Sequence, residues 1–171
     1  MAELLGVHSV PELSIAADSR YEQGRRVTIG RQLSWAELDS TTIGEPLEPE
    51  SDTEPGSLHY DIDISGCHDG LWLMVIDHQP EYGSEIEAVF SPYRTCVSVV
   101  VATALALTVA ELAGGKFTDE IHMLQPHSSD PRHVITTTHL PRTVHEFPAA
   151  CERWLRQFPN LRDWPSNVSM P

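Results

Sequence analysis

No lysine or arginine occurs between Gln32 and Tyr93 of this 171-residue chain. Fourteen aspartates and glutamates occupy that interval, from Glu37 to Glu87, and the eleven acids elsewhere balance the eleven basic residues. The whole formal charge of −14 therefore belongs to one contiguous stretch. Such a stretch repels phosphate backbones and anionic lipid, so neither nucleic acid nor a membrane is an expected partner, whereas a basic protein or a cation is favoured. The plain alternative is that the acids solvate a long loop and keep the chain soluble. Ten of the eleven basic residues are arginines, and they are scattered rather than gathered into a basic patch with interleaved aromatics.

Cysteine is scarce. Cys67, Cys96 and Cys151 are odd in number, widely spaced and without a CxxC pair, which fits reduced thiols rather than a disulfide framework. The opening residues lack the basic and long apolar regions of a secretory signal, so a cytoplasmic protein is expected. Long apolar runs are also missing. The longest, around 97–110, is bracketed by Arg94 and Glu111 with sixteen residues between them, short of the roughly 20 that a membrane span needs, and reads as a buried core helix.

Catalytic signatures are absent as well. There is no HExxH and no GxSxG, and Gly114-Gly115 follows a helix and precedes an expected strand, the reverse of a phosphate-binding loop. No catalytic residue, resident metal or cofactor is implied. The titratable groups nearest one another are His59, Asp61, Asp63, Cys67, His68 and His78, and the enzyme alternative is a metal-assisted hydrolase using Asp61, Asp63, His59 and His68. His127, His133, His139 and His145 recur every six residues, but Pro126, Pro131 and Pro141 keep them off any one element.

What is present predicts one α+β domain over 1–171: a mostly antiparallel sheet packed on a long buried helix at about 93–113, plus a C-terminal helix. A short helix is expected at 10–18 and a strand at 26–33. The Pro and acid mixture at 40–57 reads as a mobile loop. His59, Asp61 and Asp63 alternate with Leu58, Tyr60, Ile62 and Ile64, predicting a strand with both carboxylates on its outer face. Residues 65–70 turn the chain into a near-continuous apolar run at 71–76, suited to an inner strand, and the two make an antiparallel hairpin. Further strands are expected at 85–90, 116–124 and 133–138. Apolar residues on every face of the 93–113 helix predict cover on all sides, with Gly114 as its C-cap. Pro148 makes 149–158 the firm part of the last helix, with Cys151, Trp154, Leu155 and Phe158 on its apolar side.

The module running from Val97 through Ala104-Leu105-Ala106-Leu107 into Leu112-Ala113-Gly114-Gly115-Lys116-Phe117-Thr118-Asp119 resembles one in small bacterial α+β proteins of immunity type. It covers about twenty-five residues and carries no catalytic residue across. The resemblance implies a relative of the immunity partners of polymorphic bacterial toxins, which act by binding. Glu48, Glu50, Asp52 and Glu54 of the loop, with Asp61, Asp63 and Asp69 of the hairpin, would then complement a basic protein through steering and rim contacts around an apolar anchor. A homo-oligomer that buries the apolar helix is the remaining alternative.

Overall fold

The computed structural model describes residues 1–17, 20–22, 25–27, 31–32, 56–78, 85–93, 95–119, 124, 129–142 and 146–159. The class is α+β, as the sequence predicts, with strands β1 (Leu13–Ala17), β2 (Arg20–Glu22), β3 (Arg25–Val27), β4 (Arg31–Gln32), β5 (Gly56–Ile64), β6 (Asp69–His78) and β7 (Glu85–Pro92). The helices are α1 (Ala2–Leu5), α2 (Cys96–Ala113), α3 (Pro131–Thr138) and α4 (Phe147–Leu155). Contacts gather into two compact units, Leu13–Ser91 and Met1–Glu12 with Pro92–Pro171. The sheet unit holds sixteen acids and four arginines, a net of −12; the helical unit holds nine acids and seven basic residues, a net of −2.

In the sheet unit five strands lie in the order β4-β1-β5-β6-β7, and β2 pairs with β3 in a separate antiparallel ribbon. The pairs β1 with β4, β1 with β5, and β5 with β6 are antiparallel. The β5–β6 hairpin follows the expected alternation. Ile62 opposes Leu71 and Leu58 opposes Val75, and Ile62, Ile64, Leu71 and Val75 are buried. Each large aliphatic side chain withdrawn from water contributes about 1.5–3 kcal/mol, so a one-residue slip, which would turn this row outward, is strongly disfavoured. The turn between the strands uses Gly66 at φ 74° and His68 at φ 48°, and the Cys67 amide donates to the Ile64 carbonyl at 3.2 Å.

Two sequence expectations fail in this unit. The helix expected at 10–18 does not form over the described residues 10–17: Leu13–Ala17 is a strand, with Leu13, Ile15 and Ala17 opposite Ile64, Ile62 and Tyr60. A segment this short cannot sustain a helix against the ladder of hydrogen bonds that β5 offers. The single strand expected at 26–33 is divided between β3 and β4, which belong to different sheets. The run 71–76 does lie on an inner strand, since β6 stands between β5 and β7, with Leu71 and Val75 buried and Trp72 exposed. The loop at 40–57 lies outside the described residues except for Gly56 and Ser57, which begin β5.

In the helical unit α2 is capped at both ends. The Thr95 hydroxyl accepts from the Ser98 amide at 3.0 Å, and Gly114 closes the helix at φ 64°. β7 runs on to Pro92, which delays the helix to Cys96 rather than the expected 93. Helices α3 and α4 pack on α2. Leu107, Val134 and Ile135 form one cluster with Phe117 against it, while Cys151, Trp154, Leu155 and Phe158 are all buried, as their spacing predicts. Cover on all sides of α2 holds for 97–104 only: Val109 is 40% and Leu112 83% exposed.

Two expected strands are also corrected. Residues 115–119 adopt no regular structure, and the Phe117 amide donates to the Ser129 carbonyl. The segment expected as a strand at 133–138 belongs to α3. Asp130 caps it by accepting from the Arg132 and His133 amides at 3.0 and 3.4 Å, and Pro131 stands in its first turn. Three β-branched threonines are accommodated there by hydrogen bonding back along the helix: Thr136 to the Arg132 carbonyl, Thr137 to that of His133 and Thr138 to that of Val134. The Asp-Pro start outweighs the β-branched composition.

Candidate functional site

Of the seven acids singled out for binding, Glu48, Glu50, Asp52 and Glu54 lie outside the described residues. The hairpin brings two of the other three together. Asp61 and Asp63 sit between the buried Ile62 and Ile64, so both carboxylates fall on the opposite face of β5; Asp63 is exposed and Asp61 half-buried. Asp69 is set apart from them. It opposes Ile64 in the register, on the parity of the buried row, and its Oδ1 accepts from the Gly70 amide at 2.9 Å.

The antiparallel register places Trp72 directly opposite Asp61 and Gly70 directly opposite Asp63. On the other flank of β5, Ala16 opposes Asp61 and Ser14 opposes Asp63. Two rows thus cross the outer face of three strands, Ala16–Asp61–Trp72 and Ser14–Asp63–Gly70. Directly paired side chains have Cβ atoms about 4.5–5.5 Å apart, so the indole and the Asp61 carboxylate are immediate neighbours. Trp72 is 43% exposed, a large aromatic on an acidic face. It is a residue that the sequence reading did not single out.

His59 pairs with Met74 in the ladder, and His68 stands in the turn. Among the described residues, no group of three or more His, Cys, Asp or Glu side chains is placed to hold a metal ion. Burial, reinforced by Asp69, pushes the Cys67 thiol above its ordinary range, the opposite of what activates a cysteine nucleophile. Burial likewise raises the Tyr60 phenol. Among the described residues α2 alone is long and apolar enough to cross a membrane, by length and composition, and more than half of it is buried within the protein. Set beside known proteins, the chain matches no family model, no curated protein and no solved structure.

Proposed function

We propose that this chain is a protein-binding domain that acts by contact rather than by chemistry, recognising a basic protein through the outer face of β5 and β6. The observation that carries this reading is the exposed Trp72 beside Asp61 and Asp63, on a unit whose net charge is −12. A tryptophan on a flat face is the kind of anchor around which binding energy concentrates, and the surrounding negative field speeds encounter with a positively charged partner. The acids of the 40–57 segment, Glu48, Glu50, Asp52 and Glu54, add to that field through the sequence they share with it. The immunity-type resemblance of the helix and Gly-Gly module supports a narrower version, in which the chain is a cytoplasmic antagonist that occludes a basic toxin.

The test is a quantitative pull-down from lysate of the source cell with the tagged full chain and with its Trp72→Ala variant, each at low and at high salt. A stoichiometric basic protein should be retained by the native chain at low salt and lost both at high salt and with Trp72→Ala. Recovery of no such protein, or equal recovery by the variant, would refute the reading.

A further inference from the structure

We infer that the outer edge of β7 takes up an extended segment of the basic partner as a further strand of the sheet; this rests on the protein-binding reading above. Among the described residues β7 closes the order β4-β1-β5-β6-β7, so a strand pairs with it on the β6 side alone. The strand at the other end, Arg31–Gln32, is two residues long, whereas Glu85–Pro92 runs for eight. An edge strand turns alternate N–H and C=O groups away from its one neighbour, and eight residues exceed the usual strand of about five or six, so the edge offers a full ladder. Its side chains have the exposure of an edge. Glu87, Ala88, Val89 and Phe90 are half-buried and Ser91 is exposed, while the inner strands β5 and β6 carry the buried Ile62, Ile64, Leu71 and Val75.

Charge selects the occupant. None of β1, β5, β6 and β7 carries a lysine or arginine, β7 contributes Glu85 and Glu87, and the unit that holds these strands has a net charge of −12. A second copy pairing edge to edge would bring two such units together, like charge against like, and charge on an edge strand is a common guard against that association. A strand with lysine or arginine at alternate positions meets the opposite sign instead. Main-chain hydrogen bonds would then hold the segment, and its charge would select it.

The experiment measures binding of two synthetic peptides to the full chain at low salt. Both match β7 in length and alternate lysine with valine; the second has its main-chain amides N-methylated, which keeps the charge and removes the ladder donors. The unmethylated peptide should bind at least about tenfold more tightly, since it alone can form several main-chain hydrogen bonds, each worth a factor of about two to ten. It should also slow hydrogen exchange at the β7 amides and leave those of β1 unchanged. Equal affinity for both peptides, or protection that bypasses β7, would overturn the edge inference while leaving recognition of basic partners intact. Failure of both peptides to bind would overturn both. A chain that doubles its mass on concentration and then protects the β7 amides would show a second copy on the edge and overturn the basic-segment inference.

Discussion

Gly6 lies so close to Pro141 that a Cβ placed on it would come to 2.5 Å from the Pro141 carbonyl oxygen. Gly6 ends α1 at φ 63°, and next to it the Leu140 amide donates to the Leu4 carbonyl at 2.8 Å. The first helix is therefore fastened to the segment that follows α3. Leu4 and Leu5, both buried, are what the fastening holds in place. Gly6→Ala should cost about 2–4 kcal/mol, from the left-handed backbone and the backbone clash together. The urea midpoint of the full chain reads this directly, and an unchanged midpoint would mean that α1 contributes nothing to the fold.

Trp154 is fully buried and packs edge-on to Phe158, with ring centroids 4.8 Å apart. Among the described residues its indole Nε1 has no hydrogen-bond partner. Trp154→Ala should destabilise by about 3–5 kcal/mol, the usual cost of removing a large buried aromatic. Trp154→Phe should cost much less than its lost volume suggests, because it also removes an unsatisfied donor worth about 1–3 kcal/mol. Thermal or urea unfolding of the two variants decides this. A Trp154→Phe loss as large as its lost volume predicts would show that the orphan N–H carries no penalty.

The Thr95 cap offers a small and separable effect. Thr95→Ala should lower stability by about 1 kcal/mol while Thr95→Ser retains most of it, since only the hydroxyl accepts from the Ser98 amide. By contrast, Arg132 reaches Glu3 at 3.3 Å and Glu111 at 3.6 Å with all three side chains exposed. Arg132→Ala should therefore change the unfolding midpoint by less than about 1 kcal/mol. A larger loss for Arg132→Ala than for Thr95→Ala would reverse this ranking.

Cys96 carries the clearest pH prediction. Burial, then the nearby Glu152, pushes its thiol above the ordinary 9.0, with Arg156 and a backbone hydrogen bond opposing. The folded chain thus keeps this proton at a pH where the unfolded chain has lost it. The resulting stability is fully present below the unfolded thiol's value and is lost as pH rises through the folded one. Alkylation of Cys96 in the native protein, followed by mass spectrometry, should reach half its maximal rate above pH 9.0, and urea should bring that midpoint down. A native midpoint at or below the unfolded one would contradict the assignment.

Much of this architecture can be read along the chain, because its causes are local. The alternation of 58–64 and the short turn after it define the hairpin. Gly114 ends the apolar helix because only a glycine takes the left-handed cap without strain, and the spacing of Cys151, Trp154, Leu155 and Phe158 gives the buried side of α4. The failures at 10–18 and 133–138 have opposite causes. In the first, a distant strand supplied the hydrogen bonds that fixed the conformation; in the second, a local Asp-Pro start was present but was outweighed in the reading by β-branched residues.

The candidate site divides in the same way. Asp61 and Asp63 were legible as a pair, since a period of two is a property of one strand. Trp72 was not, since the apolar run of β6 looks alike on both sides until its register with β5 is known. Composition alone confined the net charge to one stretch and set the class of the fold, because charge and periodicity need no knowledge of distant contacts. Pairing between strands then chose which aromatic stands beside those carboxylates, because a register shift of one residue exchanges the two faces of a strand and only long-range packing selects between them.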